Sequence, residues 1–333
     1  VPNGSFPVRR LVSPRERAIF FSNEETPMTA AEPLPPIDKI VLPRLHDLGD
    51  GFTVRRALPT TERRMVGPFV FLDAMGPVDF APGRGIDVRP HPHIGLSTLT
   101  FLHQGEIRHR DSTGAVEVIR PGAVNWMTAG RGIVHSERTP ETPRANGDRV
   151  AGLQLWLALP KAREETDPTF THVEASALPV LEGDGARATL VAGNAFGKAS
   201  PVPVFSDLVQ LDVVLEAGAR FRLPADFSER AIWPSSGEIV VEGDDTTHAP
   251  DRLILLRPGA EIVVRAVTPA RFALLGGEPF PERRYLYWNF VSSSKDRIEA
   301  AKEDWRAGRF AGVPGETEFI PLPPDPPGVV WKG

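Results

Sequence analysis

The sequence predicts an all-β protein made of two tandem β-barrels and closed by one short C-terminal helix. Three observations carry this prediction. The 333 residues include 30 Gly and 35 Pro beside 41% hydrophobic residues, which reads as many turns between short strands rather than disorder. From Ile37 onward, apolar and polar residues alternate in short runs broken by Gly and Pro, the period of half-buried strands. The order of turns in the first half then recurs in the second.

The N-terminal segment, residues 1–36, is charged, Pro-containing and without sustained periodicity, and reads as an irregular tail. Met28 is a candidate native start, which would make residues 1–27 a tag or an over-long gene reading; the sequence leaves this open. The first barrel is expected over residues 37–166. Its strands are expected at Ile40–Leu42, Phe52–Arg56, Gly67–Asp73, Leu96–Leu102, Ile107–Asp111, Val116–Arg120, Val124–Met127 and Leu153–Leu159. Gly76-Pro77, Pro82–Gly85, Gly105-Glu106, Ser112–Gly114 and Pro121-Gly122 mark the turns. The charged stretch Pro160–Pro168 reads as a linker or excursion.

The second barrel is expected over residues 167–285. Its strands include Ala188–Ala192, Leu208–Leu215, Arg220–Leu223, Glu238–Glu242, Arg252–Leu256, Glu261–Val267 and Arg271–Leu275. Gly85, Gly105-Glu106-Ile107 and Pro121-Gly122 of the first half correspond to Gly218, Gly237-Glu238-Ile239 and Pro258-Gly259 of the second. Residues 286–333 complete the chain. Ser292-Ser293-Ser294 offers a helix N-cap and Gly308 a stop, with Ile298, Ala301 and Trp305 on one face. A Pro-rich extended tail follows from residue 312.

Composition excludes several function classes. The 38 basic and 43 acidic residues leave a net charge of −5, which argues against direct nucleic-acid binding. The chain has no Cys, so disulfides, thiolate metal sites and a Cys nucleophile are excluded, and a cytoplasmic location is expected. No apolar run approaches the roughly 18 residues of a membrane-spanning helix. The Gly130-Arg131-Gly132 run lacks the rest of a phosphate loop, and neither a dinucleotide fingerprint nor a nucleophile elbow is present.

The chemistry concentrates in two i, i+2 pairs, His91-Pro92-His93 and His135-Ser136-Glu137. Side chains two apart on a strand share a face. The two pairs can therefore aim three imidazoles and a carboxylate at one point, a candidate metal site. Surface histidines in a Pro-rich turn are the alternative for the first pair, and a polar pair at a loop end for the second. Three imidazoles with one hard carboxylate suit Fe(II), Mn or Ni better than a closed zinc site, and leave positions open on an octahedral ion.

Longer strings give these pairs a family. The pattern G-x5-H-x-H over Gly85–His93 resembles the first cupin motif, and Gly130–His135 resembles the second with Gly in place of Pro. Arg89–His93, Trp126–Glu137, Gly152–Trp156 and Trp288–Ser294 together resemble the pirin family, in order over roughly residues 37–320. That resemblance implies a bicupin of two jelly-roll β-barrels with metal in the N-terminal one, held by His91, His93, His135 and Glu137. It implies Fe(II) as the metal, with Ni, Mn, Cu or Zn as alternatives. It further implies one of two roles. The first is a quercetinase-type dioxygenase acting on a flavonol-like substrate and O2, with Glu137 as the catalytic base. The second is a metal-dependent regulatory protein that binds a transcriptional or metabolic protein partner. A metal that merely stiffens the barrel is a third reading, disfavoured because structural sites are usually closed.

The family usually follows its H-P-H with Arg-Gly-Phe-Glu-Thr, where this chain has Ile94-Gly95-Leu96-Ser97-Thr98, so pocket polarity is expected to differ. His103, His109, Trp126, Met127, Asp111 and Arg131 are assigned packing or turn roles, with hydrogen bonding near the metal as the alternative for the two histidines. The second barrel carries Pro224 and Asp226 where ligands would be, so no metal is expected there.

Overall fold

In the computed structural model, residues 35–48 and 52–325 are described; all but the last two residues of the expected 1–36 tail, and the last eight residues of the chain, lie outside them. The expected strands pair into two barrels of the same design. The first has a large sheet in the order Thr169–Val173, Val124–Thr128, Leu96–Gln104, Asp148–Ala158, Phe69–Phe80, Thr53–Leu58, Arg44–Asp47. Facing it is a small sheet in the order Asp87–His93, Ile133–Arg138, Ile107–Asp111, Val116–Ile119. The second barrel repeats both. Its large sheet runs Ile37–Val41, Leu253–Leu256, Glu229–Ser236, Ala270–Gly277, Leu208–Leu215, Ala186–Ala195, Val180–Gly183, and its small sheet Arg220–Arg222, Val263–Ala266, Ile239–Val241, Thr247–His248. The turn glycines match as well. Gly105 and Gly237 have φ of 82° and 70°, and Gly122 and Gly259 have 83° and 73°, a left-handed conformation that costs a residue with a Cβ.

The repeat contains an exchange that the linear order of segments does not suggest. Ile37–Val41 pairs with Leu253–Leu256 and forms the edge of the second barrel's large sheet. Thr169–Val173 pairs with Val124–Thr128 and forms the matching edge in the first barrel. Each barrel is thus completed by a strand that lies beyond the expected boundary of its own segment.

Strict alternation along the strands separates two environments. Leu153, Leu155 and Leu157 turn outward into a core shared with Leu208, Trp233, Leu255 and Leu275 of the second barrel. Gln154 and Trp156, between them, line the cavity inside the first barrel. A one-residue slip would exchange these faces, so the shared core fixes the register that points Trp156 inward. Trp126 belongs to this same core and donates its indole N–H to Thr128 Oγ1 at 3.0 Å, which makes its role packing. Inside the second barrel an apolar cluster that includes Leu211, Val213, Ile239, Val264 and Phe272 fills the core.

The C-terminal helix spans Lys295–Arg306, and the Ser294 hydroxyl caps it by accepting from the Arg297 N–H. Ile298 and Ala301 are fully buried, and Trp305 packs against the same cluster. A further short helix, Glu141–Asn146, buries no residue, which is why no apolar periodicity announced it. The stretch expected to be a linker is an anchor. Glu164 is 5% exposed and pairs with Arg284 at 3.1 Å. Its carboxylate also accepts from Ser292 Oγ at 3.0 Å and from Ser293 N at 2.8 Å. The surrounding exposed charges conceal this one buried acid in the sequence.

Candidate metal centre

His91 and His93 lie on the edge strand of the small sheet, beside Pro90 and Pro92. An edge is where a strand tolerates Pro, because the missing N–H faces away from the ladder. Ile133–Arg138 runs antiparallel to it, with His135 opposite His91 and Ile133 opposite His93. The ligand atoms of His91, His93 and His135 all lie within 4.8 Å of one another. All three side chains are buried, at 7%, 1% and 1% exposure.

Hydrogen bonds select which nitrogen each ring presents. His91 Nδ1 donates to the Arg89 carbonyl at 2.9 Å, leaving Nε2 as the free lone pair. Asp111 Oδ2 accepts from His109 Nε2 at 2.9 Å, and His109 Nδ1 stands 3.3 Å from His135 Nδ1. With a neutral His109 this chain makes His135 Nδ1 the donor and frees His135 Nε2. The Asn289 backbone lies beside the His93 ring. Burial, and secondarily the neighbouring imidazoles, lower the His93 and His135 pKa values well below the ordinary 6.5. Burial likewise lowers that of His91 to about 4. The three rings are therefore neutral, the form that ligates metal.

This donor set fits a divalent ion. His93 Nε2 and His135 Nε2 are 3.0 Å apart, and the buried His93 Nδ1 has no hydrogen-bond partner among the described residues; when both Nε2 atoms carry lone pairs, these face each other. A cation between them removes that repulsion.

Glu137 borders the same cavity but stands outside the three-histidine cluster. A bulge between His135 and Glu137 shifts the pairing so that Val88, not Arg89, lies opposite it. On its other side Glu137 faces His109. Burial raises its pKa above the ordinary carboxylate value, partly offset by His109.

The cavity encloses about 650 Å³. Its walls are mostly apolar, including Phe52, Val54, Met75 and Ile107. Trp156 meets His93 edge to face at a ring separation of 5.0 Å and stacks on Phe71 at 3.8 Å. Leu286, Trp288 and Asn289 enter from the C-terminal hairpin, and Ile320, Pro321 and Pro323 from the extended segment after the helix. That segment has no regular structure, yet it is fixed: Ile320 N donates to Pro90 O at 2.8 Å, and Trp305 Nε1 to Ile320 O at 3.1 Å. Ile94 and Ser97, where the sequence departs from the usual motif, do not line the cavity. Ile94 packs in the C-terminal cluster and Ser97 donates to Thr128.

Comparison with known proteins places this arrangement. Residues 51–157 match the pirin family model and residues 210–311 match the pirin C-terminal cupin domain. The chain belongs to the pirin family. A pirin-like protein of Caulobacter vibrioides is 52% identical over 86% of this chain and 99% of its own length. A pirin-like protein of Solanum lycopersicum is 34% identical, covering 81% of this chain and 91% of its own. The crystal structure of quercetin 2,3-dioxygenase from Acinetobacter baumannii aligns with a TM-score of 0.79 at 36% identity, covering 86% of this chain and 96% of that one.

In this bicupin pirin the sequence pointed to the three imidazoles but not to what orients them. His109 is 4% exposed, Asp111 is fully buried, and His109 stacks on Phe170 at 4.3 Å. Asp111 pairs within its turn as expected, accepting from Thr113 N and Oγ1, and its other oxygen also holds His109, for which the hydrogen-bonding alternative is the better description. His109-Arg110-Asp111 is itself an i, i+2 pair on a strand, so the signal that flagged the other two pairs was present in it. Phe170 carried no such signal, because the exchanged edge strand brings it to the first barrel. His103 does not join the cluster: it lies at the seam between barrels, 3.5 Å from Asp212. No helix among the described residues is long and apolar enough to cross a membrane.

Proposed function

We propose that the protein is a mononuclear metal dioxygenase of quercetinase type that opens a flavonol-like substrate with O2, with Fe(II) held by His91, His93, His135 and Glu137. The carrying observation is the convergence of three buried, neutral imidazole nitrogens on a cavity of about 650 Å³ with largely apolar walls. The likeness to the Acinetobacter baumannii quercetin 2,3-dioxygenase supports the reaction class. Three imidazoles with one hard carboxylate suit an octahedral ion such as Fe(II), Ni or Mn better than a closed zinc site. When bound, such an ion supplies Lewis-acid stabilisation of an ionised hydroxyl and a site for O2.

The chain's own residues supply the rest. Glu137 borders the cavity and, when it swings off the ion or binds it weakly, can take the proton from the substrate hydroxyl next to the ring carbonyl. The Asp111–His109 chain holds the His135 ring in one tautomer. The apolar walls and the Ile320–Pro323 segment exclude bulk water from the reacting ring. A cytoplasmic setting, expected for a cysteine-free chain, keeps iron in the reduced form.

The test is anaerobic reconstitution with Fe(II), followed by quercetin absorbance under O2. Turnover in the wild type, lost in His135→Ala with an unchanged thermal melt, is the expected result. A holoprotein with stoichiometric iron that leaves quercetin and related flavonols intact refutes the dioxygenase reading.

A further inference from the structure

The inner wall of the first barrel carries a polar row that the metal site does not use. Arg56, Asp73, Gln154, Thr100, Asn125 and His172 stand directly opposite one another across six neighbouring strands. Two residues away along the strands runs a second row, in which Phe71, Trp156, Thr98, Met127 and Phe170 are opposed in the same way. The second row touches the histidines, through Trp156 on His93 and Phe170 on His109. The polar row therefore lies one side-chain layer from the metal centre.

Polar groups inside a barrel are costly unless paired, and these are paired two by two. Arg56 Nε and Nη2 each donate to one Asp73 oxygen at 2.8 Å. Thr100 donates to Gln154 Oε1 at 2.7 Å, and His172 Nδ1 pairs with Asn125 Oδ1 at 2.7 Å. The pairing leaves specific groups over. Arg56 Nη1 and the Gln154 amide NH2 make no hydrogen bond among the described residues, and each Asp73 oxygen keeps a lone pair. Arg56, Asp73 and Gln154 all border the cavity, whereas Thr100, Asn125 and His172 do not.

We propose that Arg56, Asp73 and Gln154 form a specificity-determining subsite that recognises neutral, vicinal hydroxyls on an aromatic ring of the substrate. This deepens the proposed function and rests on a small aromatic substrate entering this cavity. A hydroxyl both donates and accepts, matching one carboxylate acceptor and two spare donors. The Arg56–Asp73 pair carries no net charge, so an anionic substituent attracted by the guanidinium is opposed by the carboxylate. The Phe71 ring lies under the Arg56 guanidinium, 4.4 Å from Cζ to centroid, and fixes the fork in place. The neighbouring wall of Val54, Met75 and Phe71 accommodates the flat face of the ring.

The test compares two flavonols that differ only in the pendant ring: quercetin, with two vicinal hydroxyls there, and galangin, with none. Calorimetric titration of the metal-loaded protein under anaerobic conditions gives the ratio of their Kd values. The wild type is expected to favour quercetin on the order of tenfold, the worth of about one net hydrogen bond to a charged group. In Asp73→Asn and in Gln154→Leu the ratio is expected to fall to within about threefold. Gln154→Leu leaves the Arg56–Asp73 pair intact and so guards against an unfolded Asp73 variant. A wild-type ratio near one, or an unchanged ratio in both variants, overturns the subsite. Discrimination without turnover defeats the dioxygenase reading and leaves the subsite standing; equal binding with turnover does the reverse. Failure of both flavonols to bind overturns both.

Discussion

Replacing Asp111 by Asn should weaken metal binding more than its distance from the metal suggests. The Asp111 carboxylate accepts from His109 Nε2 at 2.9 Å with one oxygen, and from Thr113 N and Oγ1 at 2.8 and 2.6 Å with the other. An Asn can keep the Thr113 bonds through its carbonyl, so the turn is expected to hold. Its NH2 would then face His109 Nε2, which must become an acceptor. The proton moves to His109 Nδ1, which stands 3.3 Å from His135 Nδ1. Two donors would oppose each other there unless His135 moves its own proton to Nε2, the atom that faces the metal. The lost charge-assisted bond alone is worth about 1.5–3 kcal/mol, or roughly tenfold to a hundredfold in metal affinity, the range usual for residues that orient ligands. His109→Leu removes the chain without inverting it, so its loss is expected at the lower end. Competition of Co(II) or Ni(II) against a chromogenic chelator measures both variants, with thermal melts as the fold control. An Asp111→Asn affinity within about threefold of wild type, or a larger loss in His109→Leu, would refute the tautomer argument.

Three further outcomes follow from other parts of the molecule. Glu164→Ala leaves the Arg284 side chain, 0% exposed, with only the half-exposed Glu282 at 3.6 Å as counter-charge and should cost up to about 3–5 kcal/mol in denaturant unfolding; a loss below about 1 kcal/mol would contradict the anchor role. His103, buried between barrels beside Asp212 and Arg271, has its pKa lowered from 6.5 to about 4, chiefly by burial. Its folded pKa lies below its unfolded one, so its contribution is intact above about pH 6.5 and is lost as pH falls toward 4. The wild type should therefore lose about 2 kcal/mol relative to His103→Gln between pH 7.5 and 5, and parallel stability curves would exclude this. Burial alone would raise the Glu316 pKa, but hydrogen bonds from Ser136 and Arg138 lower it below the ordinary 4.5. Its hold on the C-terminal segment is then present above that value and lost on acidification through the folded pKa. Hydrogen exchange over residues 313–323 should show protection at pH 6 and progressive release as the pH is taken below 4.5.

The sequence by itself determined the all-β architecture, the tandem repeat, the capped C-terminal helix and the convergence of His91, His93 and His135. All of these rest on local periodicity: alternation for strands, an i, i+2 pair for a shared face, a 3.6-residue period with a Ser cap for the helix. The tertiary structure decided what local patterns do not encode. Cross-strand register set Arg56, Asp73, Gln154 and Thr100 in one row, though Arg56 and Gln154 lie in separate segments with seven other strands between them in the chain. The exchange of edge strands carried Phe170 and His172 into the first barrel, because completing a sheet edge buries backbone groups regardless of where in the chain the strand comes from. Glu164 looked like one charge among many until its partners, Arg284 and Ser292–Ser293, closed around it across more than a hundred residues. Periodicity is a property of neighbours in sequence, and pairing partners are chosen in space by burial and hydrogen-bond satisfaction.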